Sequence, residues 1–364
     1  MKFVPLFSAL LAALPAHAVP VAEQAVGEVV EEYTYNAAAE AAEAIDAEKP
    51  TTNSNANGVR ILPRFETTQP KDGATRSAIA YGTFSVSSSR MLSTVKLAKG
   101  PCPKAGCFVT AMQATIRYPD KTEANIDSNA WLHHIALFGQ GAGGGSIWAC
   151  GNERPTLRLN TEYNYGIDFP ANYMLMIDLM TEDPKPKSLT LEITYEWVPK
   201  SSGYKAATMY WLTIGEPAAK SGVYKFTTQP VKANVGGKLL YSIGHMHDGG
   251  TDMRLFISGK EVCRSIMHYN ARPGYAPKGS GGMEGMEGMG HGGAGAAPAA
   301  GGGHAHGGMA HISDPGACIN FGEVPKNSMM TAEAWYDAVK YPLMEHNGKK
   351  ENLMGNMRVY VGGP

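Results

Sequence analysis

The 364-residue chain carries a formal net charge of -1 at pH 7, with 32 Lys and Arg against 33 Asp and Glu. That balance gives no electrostatic basis for binding nucleic acid or an anionic membrane surface. The length suffices for two domains of ordinary size, each with its own core.

The N-terminus opens on Met1-Lys2-Phe3, runs through an apolar stretch from Val4 to Leu14 and reaches Ala16-His17-Ala18. A short basic start, an apolar run too short to cross a bilayer and an Ala-x-Ala site predict a secretory signal peptide, residues 1–18, cut after Ala18. Cleavage after Ala16 would expose His17 as an N-terminal copper chelator, but it would put Leu14 where a small residue is needed, so that route is rejected. The protein is therefore expected to be secreted. No later stretch has the length and apolarity of a membrane helix, and Val361-Gly362-Gly363-Pro364 offers no hydrophobic tail for a lipid anchor. Residues 19–57 are rich in Ala and Glu with little to bury, which predicts a disordered tail or pro-segment.

From about Val59 the texture changes to short alternating segments punctuated by Gly, Pro, Asn and Ser. In Ser188 to Val198, Leu189, Leu191, Ile193, Tyr195 and Trp197 share one face while Thr190, Glu192, Thr194 and Glu196 share the other, the signature of a half-buried strand. Similar segments are Cys107 to Tyr118, Trp131 to Phe138, Tyr173 to Met180, Thr208 to Ile214, Lys238 to Ile243, Met253 to Ser258 and Met357 to Val361. Outside the tail only Thr331 to Val339 reads as a modest helix. The predicted fold class is all-β, with two antiparallel β-sandwich domains in tandem. The Pro199-Lys200-Ser201-Ser202-Gly203 break divides them into residues 58–200 and 204–364.

Residues 279–311 form a low-complexity insertion of Gly and Ala that carries Met283, Met286, Met289, His291, His304, His306, Met309 and His311. With almost nothing branched and apolar it is expected to be a flexible loop. Its Met-x-x-Met-x-x-Met and His-x-His spacings also make it an auxiliary copper collector. Five cysteines (Cys102, Cys107, Cys150, Cys263 and Cys318) leave one over after pairing in an oxidising compartment. A Cys263 to Cys318 bridge would clamp the ends of the insertion, and Cys102 pairs with Cys107 or Cys150. No Asn-x-Ser/Thr acceptor occurs, so N-glycosylation is not expected.

Chemistry concentrates in two histidine pairs. In Tyr241 to Gly250 an apolar run ends in His245-Met246-His247, and residues two apart on a strand point to one face, so the two imidazoles project side by side. A strand-end histidine pair in water is the ordinary alternative. Imidazole suits copper, zinc, iron and nickel, and a thioether third ligand tilts the choice to copper. The second pair is His133-His134. Adjacent strand residues point to opposite faces, so these two can share an ion only through a strand end, a bulge or a strong twist. His268, beside Tyr269-Asn270, reads as a structural or surface residue, and His346 as an exposed one that could approach the second site.

Together these residues resemble the copper type II, ascorbate-dependent monooxygenases, the family of peptidylglycine α-hydroxylating monooxygenase and dopamine β-monooxygenase. His133-His134-Ile135-Ala136-Leu137-Phe138-Gly139 matches the family's His-His-x-x-Leu-Phe-Gly, His245-Met246-His247 its His-x-His, and Met354-Gly355-Asn356 its Met-x-Asn. The resemblance covers roughly residues 60 to 361. It implies two β-sandwich domains with one copper each: an oxygen-activating copper on His245, His247 and Met354, and an electron-transferring copper on His133 and His134. Asp178 stands where the family has its third first-domain His, so that site is expected to be degenerate, with Met176 or Met180 as substitutes. The family's substrate-binding Arg and Tyr appear here as Ile243 and Arg358, so a peptidylglycine substrate is not expected.

Three functions follow. The first is a secreted copper monooxygenase supplied with electrons by ascorbate or another reductant. The second is an extracellular protein that captures or buffers copper, and the third a structural β-sandwich with vestigial sites. A monomer is expected, acting without nucleic acid or membrane.

Overall fold

The computed structural model describes residues 59–60, 64–65, 68–88, 91–140, 145–275, 310–346 and 349–364. The predicted signal peptide, the Ala/Glu-rich tail and the metal-ligand candidates Met283, Met286, Met289, His291, His304 and His306 lie outside these residues.

The described chain is nearly all β, as the alternating segments predict. Every predicted strand is present within a few residues, including Cys107–Arg117, Trp131–Gly139, Asn172–Met180, Lys187–Pro199, Gly237–Met246 and Gly355–Gly362. Thr331 to Val339 is a correction: it is no helix but most of the strand Met329–Asp337. Met330, Ala332, Ala334 and Tyr336 are buried at a period of two, and the backbone pairs with Gly250–Ile257 on one side and Val223–Thr227 on the other. Sheet pairing on both edges outweighs the helical propensity of its alanines.

Among the described residues the largest sheet has eleven strands and draws on both halves of the chain. Lys205–Thr213 pairs in parallel with Tyr165–Asp168 and antiparallel with Gly355–Gly362, which in turn pairs with Gly237–Met246. A second sheet of four strands contains Leu92–Lys99, Asn172–Met180, Trp131–Gly139 and Ser146–Gly151. Two apolar cores result. Ile135, Leu137, Ile177, Leu191 and Ile193 belong to the first, and Leu212, Met253, Leu255, Ala332 and Tyr336 to the second.

The strand Gly237–Met246 lies between these cores, which explains its unbroken apolar run. Ile243 packs into the first core and Met246 into the second. A Cβ on Gly244 would meet Met253 and Met267 of the second core. By alternation His245 shares the face of Ile243 and looks toward the first half of the chain. The partner strand alternates alike: Tyr360 enters the first core, and Met357, Val359 and Val361 the second.

Disulfides join Cys263 to Cys318 and Cys102 to Cys107, and Cys150 is free and buried. The first bridge is the one predicted across the insertion.

A histidine centre between the two halves

The strand Trp131–Gly139 carries the first histidine pair. Its register against Asn172–Met180 slips between Leu132 and His134, which pair with Leu179 and Asp178, so His133 is the extra residue of a bulge. Leu132 and Ile135 both enter the first core. An odd separation of three places two side chains on one face only because of the inserted residue. The same insertion swings His133 to the side of His134, and their ring centroids lie 4.0 Å apart.

Sequence reasoning put the two histidine pairs in separate sites, one per half. The structure brings them together. The His133 and His134 rings lie 5.2 and 5.5 Å from that of His247, and the His134 ring lies 5.2 Å from that of His245. Nε2 of His134 and Nε2 of His247 are 3.4 Å apart. Ligand atoms of His133, His134 and His247 fall within 4.8 Å of one another. His245 adjoins this trio, its ring 6.0 Å from that of His247. The halves meet here because Gly237–Met246 presents His245 toward the first half while the bulge turns His133 and His134 outward from the first core.

Each imidazole has one nitrogen engaged by an outer partner. His245 Nδ1 lies 3.0 Å from Glu153 Oε1 and 3.2 Å from Oε2, and His247 Nδ1 lies 2.7 Å from the carbonyl of Asn352. An ionised carboxylate or a carbonyl only accepts, so both Nδ1 atoms carry protons, and in the neutral imidazole Nε2 then keeps the lone pair. Asp178 Oδ2 lies 3.5 Å from His134 Nδ1, a looser approach than these hydrogen bonds, and His133 Nε2 lies 3.4 Å from Glu351 Oε2. The remaining nitrogens have little else to do: His245 Nε2 and His133 Nδ1 are buried without a hydrogen-bond partner. Ligating histidines show this arrangement, one nitrogen held by a carboxylate or carbonyl and the other free for a metal.

Electrostatics keeps His134 and His247 neutral. Burial, reinforced by His133, His245 and His247, holds His134 well below the usual histidine range. Burial and the neighbouring histidines likewise push His247 down to about 4. Neutral imidazole is the ligating form. Burial alone would raise the Glu153 carboxyl, but His245 and Arg358 beside it hold it down at about 2. Burial raises the carboxyl of Asp178.

The other predicted residues are placed as follows. Asp178 stands at the outer nitrogen of His134, away from the 3.4 Å approach of His134 and His247. The backbone carbonyl of Met354 accepts from the His247 N–H at 3.2 Å and from the Tyr336 hydroxyl at 2.7 Å, which ties that segment to the centre. Met357 is buried in the second core with its sulfur 3.2 Å from Ser242 Oγ. Arg358, at the position of the family's Tyr, is buried, donates to the Ala149 carbonyl and lies 3.7 Å from Glu153. His268 is exposed. The backbone of His346 lies in a short two-residue strand.

His311 is a correction to the predicted loop. It is buried, its Nδ1 lies 2.7 Å from Asp248 Oδ2, and its ring meets Trp131 edge-on. Burial pulls its pKa down, but Asp248 outweighs this and raises it overall. His311, Trp131 and Met344 line a cavity of about 40 Å³ shared with His133, His245 and His247, room for a few water-sized molecules.

Sequence reasoning did not single out Glu153, Asn352, Glu351 or the His311 to Asp248 pair. Glu153 and Asp248 are single carboxylates in turns, without a periodic or motif signal. Only the adjacency of Asp248 to His247 could have flagged it.

No protein-family model matches the chain. A probable copper-dependent oxygenase M1 from Phoma sp. is 23% identical over 308 residues, covering 78% of this chain and 71% of that protein. A probable copper-dependent oxygenase clz3 from Cochliobolus lunatus is 23% identical over 271 residues, covering 69% of this chain and 78% of that protein. Among solved structures, PNGase F from Flavobacterium meningosepticum aligns over 80% of this chain and 97% of its own at 10% identity and a TM-score of 0.38. The STIV MCP aligns over 79% and 96% at 8% identity and a TM-score of 0.30. Likenesses this distant carry no argument about the chain. The two sequence relatives support a copper oxygenase-like relationship, and narrower membership of the ascorbate-dependent monooxygenases does not follow from them.

Proposed function

We propose that the chain is a copper-dependent oxygenase that works outside the cell, with its metal held by histidines from both halves. The observation that carries this is the approach of His134 Nε2 to within 3.4 Å of His247 Nε2, with Asp178 and Asn352 at their outer nitrogens. With His247 protonated on Nδ1, its Nε2 lone pair faces His134 Nε2, so the gap is bridged either by a proton on His134 or by a cation that both nitrogens share. The buried, unpartnered nitrogens of His245 and His133 fit the same demand. Imidazole donors without thiolate suit copper, and the relatives named as copper-dependent oxygenases point the same way. Met354, whose backbone is tied to His247, is a candidate thioether donor.

In this reading His133, His134 and His247 hold the ion, with His245 beside them. When bound, copper supplies the redox chemistry that lets O2 react with an organic substrate. The protein keeps His134 and His247 neutral and orients them through Asp178 and Asn352, beside a small cavity lined by Trp131 and His311. The two disulfides fit an oxidising compartment. Ascorbate is one reductant to test among several.

Copper titration of the metal-free protein, followed by O2 consumption with a reductant present, tests the proposal. Tight binding lost in His134→Ala and His247→Ala, with copper-dependent O2 uptake, is expected. Tight binding without O2 uptake under any reductant would leave a copper-holding protein, and no histidine-dependent binding would remove the proposal.

A further inference from the structure

Behind His245 the chain builds a buried carboxylate site to which the copper reading assigns no role. Glu153 is buried and receives His245 Nδ1 on both carboxylate oxygens. The Gly151 N–H donates to Glu153 Oε1 at 3.3 Å, and the buried Arg358 guanidinium lies 3.7 Å from the same oxygen. Arg272 donates to the Glu153 backbone carbonyl. The carboxylate is therefore fixed from three sides.

A separate observation shows that the backbone is shaped around this pair. A Cβ at Gly151 would sit 2.3 Å from His245 Cε1, 2.8 Å from its Nδ1 and 2.9 Å from Glu153 Oε2. Only glycine leaves room for the ring and the carboxylate to meet. Gly151 also pairs with His134 across the sheet, so the same residue sits beside both histidine strands. On the other side of the ring, Nε2 is buried without a hydrogen-bond partner.

We propose that Glu153 is a positioning residue for the metal centre, acting through His245: it fixes the Nδ1–H tautomer, aims Nε2 as a donor and strengthens that nitrogen as a ligand. The inference rests on the copper reading. Carboxylate partners of ligating histidines change metal affinity by about 10- to 100-fold when removed. Glu153 is expected to fall in that range, although it touches no metal.

The test compares wild type, Glu153→Gln, Glu153→Ala, His245→Ala and the double variant His245→Ala with Glu153→Gln, each purified as the full chain and titrated with Cu(II) against a competing chelator. Glu153→Ala should weaken binding by about 10- to 100-fold. Glu153→Gln, whose side-chain oxygen still accepts from Nδ1–H, should recover part of that loss and alter the Cu(II) paramagnetic resonance spectrum. In a His245→Ala background, Glu153→Gln should add no further loss, because the two act as one unit. Equal additive losses in both backgrounds, or unchanged affinity in Glu153→Ala while wild type binds through His134 and His247, would overturn the inference and leave the copper reading standing. Failure of wild type to bind copper would instead remove the reading beneath it. Nitrogen NMR of the metal-free wild type gives an answer that needs no folded variant: His245 should carry its proton on Nδ1, and an Nε2–H tautomer would overturn the proposal.

Discussion

Substitution of His134 by alanine should remove most of the stabilisation that copper gives the protein. The His134 ring lies close to all three others, at 4.0, 5.2 and 5.5 Å from those of His133, His245 and His247. Even a residue behind a ligand costs about 10- to 100-fold in affinity when lost, so the loss of a ligand is set at about 100-fold or more. With copper at about 100 times the wild-type dissociation constant, the wild type gains about 2.7 kcal/mol. A variant bound 100-fold more weakly gains only about 0.4 kcal/mol at the same concentration. For a folded region of this size, roughly 2 to 4 °C per kcal/mol converts that difference to a gap of about 5 to 9 °C in Tm. Calorimetry of both proteins with and without Cu(II) reads the gap directly. An equal copper-induced rise in wild type and His134→Ala would refute the assignment of His134 to the centre.

Gly151→Ala should force the His245 ring off the Glu153 carboxylate, lowering copper affinity and costing about 1 to 3 kcal/mol in stability, read by chelator competition and urea unfolding. Glu196, away from the centre, accepts from Arg76 at 2.6 Å and Arg158 at 2.7 Å. Burial opposes its ionisation, but these two arginines outweigh it and lower its pKa in the folded protein. Because the folded value lies below the unfolded one, its stabilisation is present at neutral pH and lost as pH falls below the ordinary glutamate range. Glu196→Gln should therefore destabilise the protein by about 1 to 3 kcal/mol at pH 7 and flatten its acid unfolding profile, and an unchanged profile would contradict this. The Cys263 to Cys318 bridge spans 55 residues, so opening it by Cys263→Ser with Cys318→Ser should cost about 4 kcal/mol on chain entropy, checked by denaturant unfolding.

Much of the fold was legible because a half-buried strand writes a period of two into its sequence, as Ser188 to Val198 does. The segment Thr331 to Val339 misled because alanines blurred that period and the two flanking strands are remote in sequence. At the centre, strand geometry alone asked for a strand end, a bulge or a strong twist at His133-His134, and of these the structure has the bulge. What remained hidden was the meeting of the two histidine pairs. It depends on Gly237–Met246 lying between two cores, with His245 on the face of the first, a consequence of sheet order that no local pattern carries. Glu153 was invisible for the same reason, being 92 residues from His245 in the chain. His311 was assigned to the insertion because Gly-rich sequence runs nearly up to it, whereas Asp248 holds it in the folded core.

The most direct test of the account is a count of imidazoles on the metal, by pulsed electron paramagnetic resonance of the Cu(II)-loaded protein. A single centre built from both halves predicts one tightly held copper per chain with three or more imidazole ligands, disrupted alike by His134→Ala and by His247→Ala. Two copper populations with two imidazoles each, one lost only in His134→Ala and the other only in His247→Ala, would contradict it.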